Sequence, residues 1–170
     1  HPHDRGGSSG IMTGVFDAFD DTGRYDLNQG VYTTMTYNSG LFEFDGVGQK
    51  TGTQLDWGFE AGPMALDIAV LQAKYGANNT YASGNNTYDV IDRNGSGTYW
   101  TSIWDTGGAD TIRYSGNRDA VIDLRAATLE NDVGGGGYLT AANGVQGGYT
   151  IAHGVVIESA QSRSGDDLII

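Results

Sequence analysis

From Gly76 to the end of the chain, short β-type runs alternate with clusters of Gly, Asn and Asp, and this alternation constrains the fold more than any other feature. The runs lie at 87–91, 98–104, 111–114, 120–123 and 149–157. Glycine supplies 28 of the 170 residues, about twice its usual share. Short strands separated by turn residues predict an all-β sandwich or roll. No repeat that spans the whole chain is apparent.

The clearest helical segment lies earlier, at about residues 63–75. Ile68, Leu71 and Tyr75 recur at helical spacing. A proline at its start suits a first helical turn, and Gly76 suits the residue that ends a helix. We therefore expect one clear α-helix in an otherwise β-rich chain.

The remaining N-terminal residues show no regular period. Residues 1–30 and 41–62 are rich in Gly and polar side chains, and they read as long loops, which are uncommon unless they are functional or metal-bound. The change in sequence pattern predicts a boundary between two structural regions near 76–80. It divides the chain into an irregular region, 1–76, and a β region, 77–170.

The formal net charge of the chain is −12 and its sequence pI is about 4.3. A polyanion is repelled by nucleic acid and by anionic membrane surfaces, so neither is an expected partner. No apolar run approaches the roughly 20 residues of a membrane-spanning helix. Such a composition favours cations as partners, because hard cations prefer oxygen ligands.

The chain contains no cysteine, which excludes disulfides and thiolate metal sites. A secreted protein without disulfides needs another stabilising device, and bound calcium is a candidate. Asp105, Gly107, Gly108 and Asp110 lie in one short loop, where two carboxylates and flexible glycine carbonyls can surround a hard ion. Composition alone favours a solvated β-turn over a calcium loop, since Asp and Gly are favoured in turns.

Several segments are similar to one protein family. The chain starts with His1-Pro2, segment 33–39 reads TTMTYNS, and segment 63–78 reads PMALDIAVLQAKYGAN. Segments 104–111 and 154–160 read WDTGGADT and GVVIESA. Together they resemble the serralysin-type secreted zinc metalloproteases, which are metzincins of peptidase family M10. In that family the first three correspond to the third zinc histidine, the Met-turn and the helix that leads into the C-terminal region.

The resemblance implies the chemistry of a zinc endopeptidase for the whole protein. In such enzymes zinc activates a water that attacks the peptide bond, and the glutamate of an HExxH motif takes its proton. Here His1 would be a zinc ligand, Met35 would pack beneath the metal, and Tyr37 would stabilise the oxyanion and bind zinc when substrate is absent. From the residues alone, His1 could be a frayed terminus and Tyr37 a packed turn aromatic.

The resemblance also implies two adjacent calcium ions in the β region. The ligands would be the carbonyls of Ala82, Gly84, Gly107, Gly108 and Val156, with the side-chain oxygens of Asn86, Asp105, Asp110 and Glu158. Asn86 stands where the family often has Thr, and Ala82 where it can have Arg; a carbonyl ligand tolerates such changes of side chain.

The last segment, SGDDLI at 164–169, resembles half of the GGxGxDxUx nonapeptide of repeats-in-toxin β-rolls. Ser162-Arg163 replaces the leading glycine pair. Because each calcium in such a roll is shared by consecutive turns, we expect Asp167 to be an unfinished ligand at the start of a truncated roll.

The resemblance thus implies the C-terminal remnant of a metzincin catalytic domain followed by a calcium-binding β-sandwich or β-roll domain. The whole protein would be a bacterial, extracellular, calcium-dependent zinc protease that acts on proteins or peptides. The 170 residues contain no HExxH, so we expect this chain to be inactive alone and its missing N-terminal part to be a partner. The alternatives are a non-catalytic, calcium-stabilised β module for secretion or stability, and a carbohydrate-binding or adhesive sandwich.

Overall fold

The computed structural model of the chain describes residues 2–3, 12–41 and 57–170, and strands predominate in this part. A 3₁₀ turn lies at Arg24–Asp26 and the α-helix, α1, at Ala65–Tyr75. The strands are β1 (Thr87–Asp89), β2 (Trp100–Ile103), β3 (Thr111–Arg113), β4 (Ala120–Ile122), β5 (Ala141–Ala142), β6 (Gly148–Ile151), β7 (Ser159–Gln161) and β8 (Leu168–Ile169). The prediction of a mainly β chain with one clear helix is confirmed for the described residues.

Helix α1 begins two residues later than its sequence pattern predicts and ends as predicted. Gly76 follows it with φ 86°, a left-handed conformation that glycine adopts without steric strain. Only part of the apolar face is covered: Ile68 packs against the core, whereas Leu71 and Tyr75 are 46% and 74% exposed. No helix among the described residues has both the length and the apolar character that crossing a bilayer requires.

Most of the strand pairs are parallel, which the sequence pattern does not predict. Residues 100–122 run through β2, β3 and β4, and residues 148–169 run through β6, β7 and β8. Each strand of the second pass lies parallel to its counterpart in the first: β6 on β2, β7 on β3 and β8 on β4. Parallel neighbouring strands need a long connecting segment, and here the strands and loops that lie between them in the chain supply it. The second pass therefore stacks on the first, and β1 adds a third strand beside β3.

A short antiparallel pair interrupts this parallel arrangement. β5 pairs with β4, in the register Ala120 with Ala142, and Thr140 forms an antiparallel bridge to Tyr149. The strand predicted at 149–157 ends at Ile151 and gives way to a turn and irregular chain. Its apolar residues still serve the core, because Val155 and Ile157 are buried outside any strand.

Two clusters of buried apolar side chains hold the described residues together. Isoleucines from four strands dominate the larger one: Ile103, Ile112, Ile122 and Ile151. The smaller one joins the N-terminal loops to β2 and the start of α1, through Leu27, Val31, Tyr32, Met64 and Trp100. The predicted division at 76–80 stays a prediction, since α1 and β2 contribute side chains to both clusters.

Candidate metal centre

The sheet of β1, β3 and β7 brings three oxygen-bearing side chains into one row. Its register pairs the first residues of the three strands with one another. Asn86, Asp110 and Glu158 each come immediately before those residues. Because the strands are parallel, the three side chains lie at the edge where all three strands begin. Residues far apart in sequence thus become neighbours.

Hydrogen bonds tie this row together. The Asn86 N–H donates to Asp110 Oδ1 over 2.7 Å, and the Asp110 N–H donates to Glu158 Oε2 over 2.7 Å. The main chain repeats the pattern, because Thr111 N–H donates to the Asn86 carbonyl and Ser159 N–H to the Asp110 carbonyl. Each of the two carboxylates is therefore held by one oxygen against the backbone N–H at the start of the neighbouring strand.

Asp105 enters from the loop between β2 and β3. Its Oδ1 accepts the Gly107 N–H over 2.9 Å, and its Oδ2 accepts the Tyr88 hydroxyl over 2.5 Å. Gly108 has φ 139° and passes so close to the Gly84 carbonyl that a Cβ there would lie 2.4 Å from that oxygen. Glycine is required at this position both for its conformation and for the close approach of the two loops.

The two loops are also joined by side chains. Thr106 Oγ1 donates to the Tyr81 carbonyl over 2.6 Å, and the Ala109 N–H donates to Asn85 Oδ1 over 2.9 Å. These bonds hold the segment before β1 against the segment before β3, although the two are far apart in sequence.

The row carries negative charge without a nearby cation among the described residues. Asp105 and Asp110 are 5% and 0% exposed, and none of the described ion pairs involves them or Glu158. Burial raises the pKa of the Asp110 carboxyl, the Asn86 N–H opposes this, and the charges of Asp105 and Glu158 raise the pKa further. Buried carboxylates that repel one another are stabilised by a bound cation.

Two buried oxygen atoms point to the same conclusion. Asp110 Oδ2 and Asn86 Oδ1 have no hydrogen-bond partner in the described part of the chain. Buried polar atoms are rarely left unpaired in native proteins. A hard cation that accepts oxygen ligands would satisfy both atoms and offset the charge of the row.

The predicted carbonyl ligands lie on the same three loops. Gly84, Gly108 and Val156 each stand two residues before Asn86, Asp110 and Glu158, respectively. Ala82 and Gly107 lie in the first two loops, with φ 49° and 141°. No group of three or more His, Cys, Asp or Glu side chains in 2–3, 12–41 and 57–170 is arranged to hold a metal ion. Calcium differs from most metals in that it takes backbone and amide oxygens along with carboxylates, and those are the groups gathered here.

Asp167, the predicted unfinished ligand, lies away from this row. Its Oδ1 accepts the Ala120 N–H over 2.9 Å, and Asp119 Oδ1 accepts the Asp166 N–H over 2.9 Å. The half-repeat therefore stacks on the turn before β4 through reciprocal side-chain contacts. Its role as a calcium ligand stays a prediction.

The predicted Met-turn is fastened to the start of α1 by a single carboxylate. Asp67 accepts the Thr33 hydroxyl over 2.7 Å and the Thr34 N–H over 2.7 Å, and it also caps the helix by accepting the Met64 N–H over 3.0 Å. Met35 is 43% exposed. The turn is thus well defined, and Met35 on it is partly exposed.

Tyr37, two residues further along the turn, lies among other rings. It is 46% exposed, stacks on Phe19 with ring centroids 5.1 Å apart, and contacts His3 at 4.6 Å. The other predicted zinc ligand, His1, lies outside the described residues. With only one of the predicted zinc ligands described, the residues present do not by themselves compose a zinc site.

Sequence reasoning overlooked two residues that shape these sites. Tyr88 contacts Asp105, and Asp67 holds the turn. Tyr88 stands two positions after Asn86 on β1, where alternation puts both side chains on one face, so the spacing could have indicated it. The link from Asp67 to Thr33 joins residues distant in sequence, and no local pattern predicts it.

Comparison with known proteins gives a consistent result. The family described as Peptidase M10 serralysin C terminal matches residues 66–170. Serralysin C of Dickeya chrysanthemi is 32% identical over 84% of this chain and 30% of its own length. Serralysin B of the same organism is 36% identical over 72% of this chain and 25% of its own length. The serralysin of Photorhabdus luminescens is 32% identical over 100% of this chain and 32% of its own length. The chain thus spans about a third or less of these relatives.

Proposed function

The chain belongs to the serralysin family of M10 peptidases, and on this premise we propose that it is the C-terminal portion of a secreted, calcium-dependent zinc metalloendopeptidase. Within the whole protein, its own task is to bind calcium at the row of Asn86, Asp110 and Glu158 together with Asp105. Proteins or peptides are the substrates of the whole enzyme, which acts outside the cell.

The buried, unpartnered Oδ2 of Asp110 is the observation that carries the calcium assignment. It belongs to a carboxylate that is 0% exposed, lies beside two further carboxylates and has no described basic side chain as its ion-pair partner. Left without a cation, such a group opposes folding. Bound calcium would draw the three loops together and replace the disulfides that a chain with no cysteine lacks.

The ligand set divides between two adjacent ions, as in the family. The loop before β1 and the Asp105–Asp110 loop would hold one ion through Ala82, Gly84, Asn86, Asp105, Gly107 and Asp110. The loops before β3 and β7 would hold the other through Gly108, Asp110, Val156 and Glu158. Asp110 would contribute to both groups of ligands, and it is fully buried.

Peptide hydrolysis needs more than this chain supplies. The sequence has no HExxH, so in the whole protein the first two zinc histidines and the general base would come from another segment, with His1 as third ligand. Tyr37 would then donate its phenol hydrogen bond to the carbonyl oxygen of the bond being cleaved. Tyr37 is 46% exposed and contacts the rings of His3 and Phe19.

A second candidate is a calcium-stabilised β module without catalysis, because the candidate metal centre lies wholly in the β region and uses none of the predicted zinc ligands. The sequence encoded immediately before His1 separates the two. An HExxHxxGxx segment there supports the protease, and its absence supports the module.

Calorimetry of the 170-residue chain tests the calcium role that both candidates share. Because calcium binds only the folded state, it should raise the melting temperature progressively as its concentration rises above the dissociation constant. Magnesium should do so much less, since it favours near-ideal octahedral geometry with retained waters. A melting temperature that is the same in EDTA and in millimolar calcium would refute the assignment.

A further inference from the structure

Tyr88 makes a contact with the candidate metal centre that no ligand assignment requires. Its hydroxyl donates to Asp105 Oδ2 over 2.5 Å, while the other oxygen of this carboxylate accepts the Gly107 N–H. Asp105 is 5% exposed, so water has little access to either oxygen. Its orientation is therefore set by two protein donors, one from its own loop and one from β1.

The segment 86–88 contacts both buried carboxylates of the Asp105–Asp110 loop. The Asn86 N–H, just before β1, donates to Asp110. Two residues later, on β1, the Tyr88 hydroxyl donates to Asp105. Among the described hydrogen bonds, Tyr88 is the only side chain that reaches Asp105 from outside its own loop.

The ring of Tyr88 is itself held in place. It meets the Tyr149 ring edge-on, with centroids 6.2 Å apart and planes 70° apart, and its register partner on β3 is the fully buried Ile112. The Tyr149 hydroxyl donates to the Asp89 carbonyl over 2.9 Å and not to a carboxylate. A tyrosine fixed in this way can hold Asp105 without losing further rotamer freedom when an ion binds.

We propose that Tyr88 is a positioning residue of the calcium site, which holds Asp105 in its ligating orientation before the ion arrives. The inference rests on the proposed calcium function and deepens it. A carboxylate oxygen has lone pairs for both a hydrogen bond and a metal, so the contact is compatible with ligation. Outer hydrogen-bond partners of metal ligands typically change affinity by about 10–100-fold when they are removed.

The test is isothermal calorimetry of calcium binding to the 170-residue chain and to two hydroxyl deletions. Tyr88→Phe should weaken calcium binding by about 10–100-fold. Tyr149→Phe is the matched control, because it removes a hydroxyl from the same aromatic pair but leaves Asp105 untouched. It should bind calcium within about twofold of the unmodified chain, since the hydroxyl it removes donates to the Asp89 carbonyl and not to the centre.

A merely structural role for Tyr88 makes a different prediction. With such a role, Tyr88→Phe would lower the melting temperature by the same amount in EDTA and in calcium. With a positioning role, Tyr88→Phe reduces the rise in melting temperature that calcium produces. A double-mutant cycle adds a second criterion: in an Asp105→Asn background, Tyr88→Phe should change calcium affinity by less than about threefold, because the partner is already altered. An undiminished effect in that background would overturn the inference.

The outcomes separate the two claims. If the unmodified chain binds calcium and Tyr88→Phe binds it equally well, the role of Tyr88 is refuted and the calcium function stands. If the unmodified chain binds no calcium, the proposed function fails first. Should Tyr88→Phe not fold, a variant with 4-aminophenylalanine at position 88 replaces it, because this residue has a hydrogen-bond donor at the same ring position. A calcium affinity more than about tenfold below that of the unmodified chain would then count against the inference.

Discussion

Replacing Asp110 by Asn should have opposite effects on the chain with and without calcium. The amide oxygen can still accept the Asn86 N–H, so the row of side chains keeps its main contact. What changes is the charge of a fully buried group beside Asp105 and Glu158. Without calcium, the loss of a buried, repelled carboxylate should stabilise the fold. With calcium, the loss of a charged group at the proposed site should weaken binding.

The size of the second effect follows from linkage. At a calcium concentration 100 times the dissociation constant, binding to the folded state contributes about 2.7 kcal/mol, and a 100-fold weaker site would leave only about 0.4 kcal/mol. In a domain of this size, 1 kcal/mol shifts the melting temperature by roughly 2–4 °C. The calcium-induced shift should therefore fall from roughly 5–11 °C to about 1–2 °C.

Scanning calorimetry in EDTA and in a fixed excess of calcium measures both effects. Glu130→Gln is a suitable control, because Glu130 is exposed and the change removes the same charge outside the three loops. It should leave the calcium-induced shift intact. If Asp110→Asn retained the full shift in melting temperature, or destabilised the EDTA form as much as the calcium form, the account of Asp110 as a buried calcium-binding carboxylate would be wrong.

Four further outcomes are expected. The pKa of Asp110 is raised above its ordinary value of 3.8, so protonation of Asp110 stabilises the calcium-free fold. In urea unfolding with EDTA, the free energy of unfolding should rise as pH falls from neutrality through that raised pKa. Asp110→Asn should flatten this pH dependence. Gly108→Ala should lower the free energy of unfolding by about 2–3 kcal/mol, because Gly108 has φ 139° and a Cβ there would clash with the Gly84 carbonyl. Gly84→Ala is the control, since a Cβ at Gly84 meets nothing within 4 Å. It should cost less than about 1 kcal/mol in the same thermal melts. Asp67→Ala should destabilise the chain by about 2–3 kcal/mol in urea unfolding, because it leaves the buried Thr33 hydroxyl and the Met64 N–H without their acceptor. The chain alone should not cleave casein with or without added zinc, and zinc-dependent cleavage would contradict our account of the missing general base.

The helix was predictable because its pattern is local. The apolar spacing and Gly76 place α1 within two residues of its observed start. The same pattern does not predict which helical side chains are buried, since Leu71 and Tyr75 are substantially exposed. A period in the sequence reports which residues share a face, but not whether another element covers that face.

The strands were predictable in position only where their residues are β-branched or aromatic. β2, β3 and β4 carry Ile103, Ile112 and Ile122 and were expected, whereas β7 and β8 were not. β7 consists of Ser159, Ala160 and Gln161 and forms a strand because it stacks on β3. Its conformation comes from the neighbouring strand rather than from its own propensity.

The sequence by itself determined the chemistry available to this protein: oxygen ligands in flexible glycine loops, an excess of negative charge and no thiols. Only the tertiary structure decided which of those oxygens meet. Parallel pairing of β1, β3 and β7 sets Asn86, Asp110 and Glu158 side by side, and the fold puts Tyr88 against Asp105. The physical reason is that strand register is a long-range property: it depends on how the buried isoleucines of successive passes pack together, and no short stretch of sequence contains that information.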